Sequence, residues 1–359
     1  MRESENHMLK PNSDFPETPG MVKRPLKAAL LAMYYDYGRP ARGVSGEYTN
    51  LFLTMQDIYE EAVFFDYVDV LQKEGQDKMH QAVLSFVKKE QPDLIVIPLF
   101  VDGEFKVEVI EELREYATTL CYFWDDIWRT AFADFWAPHF DYFTTPSKAR
   151  ILHYKDLGYT NYIYSPYGYN HRIFQKKKEL PYKYDVTFVG GSHPYRKWLL
   201  DQLGKAGIKV QAWGGGIWPA GRLTTEGMVD VFNQSRINLN ISNTRSLHLP
   251  YLLSSWRAVR VTLNSPKNKE QLKQRMFEVS GAGGFQLTYY AEDLEHCFSI
   301  GDEVALYMDV DDLIYKIRYF LKHEADREAI AQAGHRRALA EHTYERRFRE
   351  ITGHIFGQA

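Results

Sequence analysis

Short apolar runs alternate with helix-length amphipathic stretches along most of the chain. Leu26–Tyr34 reads as a strand, and Leu94–Leu99 as a continuous apolar strand of the kind covered on both faces. Thr118–Phe123 and Asp141–Thr145 read as further strands. Helical spacing appears over Tyr48–Tyr59, Asp77–Lys89, Lys106–Tyr116, Trp128–Trp136 and Ser147–Leu157, the last with Ser147 as its N-cap. The alternation stops over residues 165–178 (SPYGYNHRIFQKKK) and then restarts. The second series has strands at Asp185–Val189, Ile208–Ala212, Arg236–Ile241 and Phe285–Tyr289. Its helices are Tyr195–Lys205, Thr224–Gln234, Gln271–Gly281, Val310–Leu321 and Ala325–Glu341, and Tyr344–Phe356 follows the break at His342-Thr343.

Repeated β-α alternation predicts parallel sheets with helices on both faces. The fold class expected is α/β, with two doubly wound, Rossmann-like domains facing a cleft, over residues 23–170 and 171–343. Residues 344–359 then form a terminal helix crossing back to the first domain. Residues 1–22 are polar, contain Pro11, Pro16 and Pro19, and read as a flexible tail without the apolar core of a signal peptide. The length of 359 residues suits two domains at roughly 150 residues each.

Composition narrows the function by exclusion. The net charge of −3 argues against a surface built to grip nucleic acid, while leaving room for a local basic pocket. No apolar run approaches the roughly 18–20 residues of a membrane helix, so no membrane span is expected. Cys121 and Cys297 are far apart and read as two buried thiols of a cytoplasmic protein. No His or acid cluster has metal-ligand spacing, and Asp309, Asp311 and Asp312 read as a helix start, so no metal is expected.

Ligands of doubly wound sheets bind beyond the carboxyl ends of the strands, which directs attention to the loops there. In FVGGSHPYRK, Gly190 and Gly191 precede a helix start carrying Arg196, an arrangement suited to phosphate; an ordinary βα turn fits the segment equally. In RMFEVSGAGGF, Arg275 and Glu278 sit on a half-buried helix ending near Gly283 and Gly284. A carboxylate there suits the hydroxyls of a ribose and a guanidinium suits a diphosphate, the alternative being a surface Arg–Glu pair. Glu270 lies eight positions before Glu278, on the same face if the helix reaches back so far, and otherwise as a first-turn acid. Asp125 and Asp126, between Trp124 and Trp128, end a first-domain strand and are candidates for the acceptor and the reacting centre, or for a cap. The loop from Gly38 to Tyr48, with Gly43 and Gly46, reads as acceptor-side or as plain surface. Trp213 and Gly214 stand where a nucleotide base would border the second domain, or where a Trp simply packs.

The segments VTFVGGSHPYRKWLLDQL, RMFEVSGAGGFQLTYYAEDLEHCFSIGDEVALYMDVDDLIYKIRYFL and REAIAQAGHRRALAEHTYERRF resemble the CgeB-like (spore maturation protein type) glycosyltransferases of the retaining GT-B group. FWDDIWRT, DYFTTPSK and SPYGYNHRIF continue the resemblance more loosely in the first half. The larger retaining family has Glu-Gly-Phe-Gly where this chain has Glu270 followed by QLKQ. The resemblance implies a metal-independent transferase taking a nucleoside diphosphate sugar, UDP-linked, as co-substrate and needing no cofactor. The acceptor would be a hydroxyl of a glycan, or of a lipid-linked or protein precursor of the cell surface, with retention of configuration. It assigns Glu278 to the ribose, Arg196 and Arg275 to the diphosphate, and Gly283-Gly284 to close approach of the chain to the donor. A nucleotide-sugar epimerase or hydrolase and a non-catalytic glycan-binding surface protein are the alternatives; peripheral membrane association and a homo-oligomer are compatible with each.

Overall fold

The computed structural model describes residues 23–177, 180–244 and 246–357; the segment 1–22 read as a tail lies outside them. The described residues divide into two compact units, one of residues 23–166 with 344–357 and one of residues 167–343.

Unit one is built on six parallel strands: β1 (Arg24–Ala32), β2 (Tyr59–Asp66), β3 (Leu94–Ile97), β4 (Thr118–Tyr122), β5 (Tyr142–Thr145) and β6 (Tyr162–Tyr164). Their order across the sheet is β2-β1-β3-β4-β5-β6. Chain order reverses between β1 and β3, so the crevice for a ligand opens beyond those strand ends. Val96, Ile97, Leu120 and Cys121 have no exposed surface, as central strands covered on both faces require. The helix Tyr344–Phe356 joins this unit: Phe348 is fully buried, with its ring 6.3 Å from that of Tyr59 and 6.1 Å from that of Tyr122.

Unit two has five parallel strands: β7 (Tyr184–Val189), β8 (Val210–Trp213), β9 (Ser235–Leu239), β10 (Gln286–Thr288) and β11 (Ala305–Leu306). Their order is β11-β10-β9-β7-β8, and the reversal falls between β7 and β9. Cys297, like Cys121 in unit one, is buried and forms no disulfide among the described residues.

Several local expectations need correction. The span expected to be one helix from Tyr48 is a π-helix, Glu47–Phe52, running into a short α-helix, Leu53–Ile58. Strand β2 and helix Tyr67–Glu74 follow where no element was expected. The stretch before Glu270 also contains two helices, Leu249–Leu252 and Trp256–Leu263. Ser147 occupies the cap position of helix Lys148–Asp156, but its hydroxyl makes no capping bond. Its amide instead donates to Thr145 Oγ1 at 3.3 Å.

Candidate functional site

In unit two, Gly190 to His193 link β7 to helix Pro194–Lys205. The Gly190 amide donates to Trp213 O at 2.8 Å and the Ser192 amide to Gly215 O at 2.8 Å, which joins this loop to the one after β8. Gly214 has φ +140, and a Cβ there would stand 2.1 Å from Gly190 O, so only glycine permits this approach. The two glycine loops singled out in the sequence are therefore one structure. Trp213, read as the edge of a base site or as a packed Trp, is 9% exposed and packs edge-on against Tyr184 at 5.3 Å.

Arg196 reaches from the first turn of that helix to the end of β9. Its Nε donates to Ile241 O at 2.9 Å, its Nη2 to Ile241 O at 2.6 Å, and its Nη1 to Gly191 O at 2.8 Å. This guanidinium fastens two strand ends together and keeps fewer N–H groups for a diphosphate than the sequence suggested. His193 caps the same helix by accepting the Tyr195 amide at 3.3 Å. Burial, with Arg196 and Lys267 nearby, pushes its imidazole down to about 4, so it is neutral at neutral pH.

Glu270 lies outside the helix that follows, which spans Gln274–Gly281. It is therefore neither on one helical face with Glu278 nor a first-turn acid. Ser242 Oγ stands 2.5 and 2.7 Å from its two oxygens, and Thr244 Oγ1 donates to it. Burial raises its pKa, against those two hydrogen bonds and the charges of Lys273 and Arg196. Lys273 occupies the N-cap position without a side-chain capping bond. Glu270, Lys273 and Arg196 thus share one electrostatic neighbourhood at the start of a helix, whose dipole favours an anion.

Glu278 is 4% exposed. Its Oε1 accepts from Gln274 Nε2 at 2.6 Å and its Oε2 from Arg275 Nη1 at 2.6 Å. The pair is intrahelical, yet it is buried on the carboxylate side, where only 5% of the Glu278 side chain is exposed against 26% for Arg275. A carboxylate has about four acceptor directions, so two remain for hydroxyls of a ligand. Gly283 and Gly284, assigned by the resemblance to close approach of the donor, make room for the protein itself. A Cβ at Gly283 would stand 2.8 Å from the Lys176 side chain, and one at Gly284 2.9 Å from Phe232 O.

In unit one the structure separates the two aspartates. Asp126 is 1% exposed. Its Oδ2 accepts from Thr145 Oγ1 at 2.6 Å and from the Tyr154 hydroxyl at 3.0 Å, with Arg150 Nε 4.0 Å away. Burial pushes its carboxyl up to about 6, mainly against those bonds. It braces the ends of β4 and β5, correcting its assignment to the acceptor; Asp125, half-buried, lines a small recess with Phe100 and Arg129. Asp126→Ala is expected to lower stability by about 1–3 kcal/mol, since two buried hydroxyls lose their acceptor. Asp126→Asn, which keeps an acceptor, should leave the urea midpoint at pH 8 unchanged or higher. Equal losses in both variants would contradict this account.

The Gly38–Tyr48 loop is tied down: Arg42 Nε pairs with Asp36 at 2.7 Å, and the Ser45 amide donates to Tyr34 O at 2.8 Å. Gly43 and Gly46 are exposed. Tyr48, expected on the acceptor side, is a core residue, 3% exposed, with its ring 4.7 Å from Tyr34 and 5.2 Å from Phe64. Trp124 packs on Tyr122 at 4.9 Å and on Tyr344 at 5.9 Å. The residue missed is Glu47, 7% exposed. Burial pushes its carboxyl up to about 7, and Asp36 and Glu104 act in the same direction. Carboxyls with strongly perturbed pKa values are frequent in functional sites. Its neighbours Gly46 and Tyr48 drew attention in the sequence, but periodicity does not say which way a side chain turns at the start of a π-helix.

Among the described residues no group of three or more His, Cys, Asp or Glu could hold a metal ion.

These features define the class: an α/β protein of the GT-B fold with two parallel sheets, whose residues 196–353 match the family described as glycosyl transferase-like. More particularly, it is similar to a CgeB protein. It is 23% identical over 223 residues to spore protein CgeB of Bacillus subtilis (strain 168), covering 57% of this chain and 65% of that protein. The match thus spans less than two thirds of that relative. Among solved structures it is similar to sucrose-phosphate synthase from Thermosynechococcus elongatus (12% identity, TM-score 0.59), covering 92% of this chain and 98% of that one. It is also similar to HepE from Anabaena in complex with UDP-glucose (9% identity, TM-score 0.58), covering 92% and 99% respectively.

Proposed function

We propose that the protein is a glycosyltransferase moving a sugar from a UDP-linked donor to a hydroxyl of a glycan or other cell-surface precursor, with retention of configuration and without a metal. The observation that carries this reading is the buried Glu278 carboxylate, oriented by Gln274 and Arg275 on the helix that begins just after Glu270. Glu278 would accept hydrogen bonds from the ribose hydroxyls of the donor. Arg275, Lys273 and the helix start would neutralise the charge that grows on the departing diphosphate; groups fixed in place before the reaction do this with little reorganisation. Arg196 would hold the strand ends that shape this corner. In unit one Glu47, titrating near neutrality, is the candidate for moving the proton of the acceptor hydroxyl. The likeness to HepE, whose structure holds UDP-glucose, supports the choice of UDP.

A thermal-shift screen of nucleoside diphosphates, with and without EDTA, tests the reading. UDP at a hundredfold excess over Kd should stabilise the protein by about 2.7 kcal/mol, with the same shift in chelator. Absence of a shift with every nucleotide, or a shift that requires a divalent ion, would overturn it. Product analysis with UDP-sugars, with and without acceptor, separates transfer from hydrolysis or epimerisation.

A further inference from the structure

Residues 243–269 contain five basic residues, Arg245, Arg257, Arg260, Lys267 and Lys269, and no acidic one, in a chain whose net charge is −3. This segment folds as the two short helices Leu249–Leu252 and Trp256–Leu263. Tyr251 anchors it on helix Pro194–Lys205, with ring centroids 5.2 Å from Tyr195 and 5.5 Å from Trp198. Ala258 and Thr262, one turn apart, are the buried side of the second helix.

The outward side is apolar where a soluble surface would be polar. Trp256 is 81% exposed, the highest value of any large apolar side chain among the described residues. Leu247, Leu249, Leu253 and Leu263 are each more than 60% exposed. At 100° per residue, Trp256, Val259 and Leu263 form one strip, and Arg260 and Arg257 follow along its flank. Arg257, Arg260 and Lys269 are exposed, and among the described residues no acidic side chain pairs with any of them. Elsewhere exposed bases are commonly paired, as Lys73 is with Asp69 and Arg346 with Glu350. Beside the strip opens a recess of about 400 Å³ with Lys197, Asp201, Trp198 and Arg257 on its walls.

We infer that this face binds the surface of an anionic membrane. An exposed Trp and leucines beside unpaired Arg and Lys are the pattern of a helix lying in the bilayer interface: the apolar strip enters the headgroup boundary and the basic flank meets lipid phosphates. In the recess Arg257 supplies the positive charge for an anionic headgroup, since Lys197 there is paired with Asp201 at 2.8 Å. Among the described residues no helix is long and apolar enough to cross a membrane, so the segment lies on the bilayer. A second copy fits less well, because a two-fold contact would set this base-rich, acid-free segment against itself.

The test is flotation of the full-length chain with vesicles. It should float with vesicles of equal parts phosphatidylglycerol and phosphatidylcholine, at least about tenfold more than with phosphatidylcholine alone, and less as salt rises. Leu253→Ala with Trp256→Ala should weaken binding by about tenfold or more. Arg257→Glu with Arg260→Glu should weaken it by on the order of fivefold per residue or more on the anionic vesicles only. These side chains are exposed, so melting curves should match wild type and exclude misfolding as the cause. Absence of flotation, or equal partition onto both kinds of vesicle, would overturn the inference. So would a dimer in sedimentation that the apolar pair abolishes while wild type fails to bind vesicles.

Discussion

If Glu278 holds the donor ribose as proposed, Glu278→Ala is expected to lower the affinity for UDP by on the order of 10- to 150-fold, the equivalent of about 1.5–3 kcal/mol for lost hydrogen bonds to a charged acceptor. The carboxylate is 4% exposed and already oriented by Gln274 and Arg275, so a ribose placed there would meet it with little reordering. The partner left behind tolerates the loss, because 26% of the Arg275 side chain is exposed and water can solvate its charge. Glu278→Gln, which keeps the shape and one acceptor oxygen, is expected to fall between wild type and alanine. Calorimetric titration of UDP into the three proteins measures the series, and melting temperatures verify that each is folded. Equal affinities across it would remove Glu278 from the donor site.

The second large effect concerns Glu47 and carries opposite signs for stability and activity. Its ordinary pKa is 4.5 and its folded value is about 7. The folded state therefore binds more protons than the unfolded one between those values, and stability falls as pH rises through that window. The cost is complete above pH 7 and absent below about pH 4. Glu47→Gln removes it, so the variant should be more stable than wild type at pH 8 by about 1–3 kcal/mol and equal to it near pH 4. If Glu47 moves the acceptor proton, the same change should lower kcat by roughly 10²–10⁴-fold while UDP affinity is kept. Denaturation from pH 4 to 8 and transfer rates at pH 7 check both halves. A stabilised variant with an unchanged rate would make Glu47 a buried carboxyl outside the chemistry. A destabilised one at pH 8 would contradict its environment.

The pattern of apolar residues was sufficient for the central architecture. Leu94–Ile97 is an unbroken apolar run of the kind a doubly covered strand needs, and helix Tyr344–Phe356 has the bounds that its spacing predicts. The elements missed include the two edge strands of the unit-one sheet. Strand β2 begins with exposed Glu60 and Glu61, and β6 is three residues long, so neither carries the apolar signal of a central strand. The places of Gly190, Arg196, Arg275 and Glu278 in loops and on helices beside the second sheet were legible as well, because β-α alternation fixes the order of those loops and helices in the chain. What only the tertiary structure decided is where each polar group finds its partner. Asp126 looked like an acceptor-side acid until Thr145, Tyr154 and Arg150, distant in sequence, enclosed it. Arg196 looked free for phosphate until the carbonyl of Ile241 took two of its N–H groups. Glu47 drew no notice in the sequence, because a carboxyl acquires a pKa near 7 only when packing removes its water, and desolvation depends on what surrounds a residue in space.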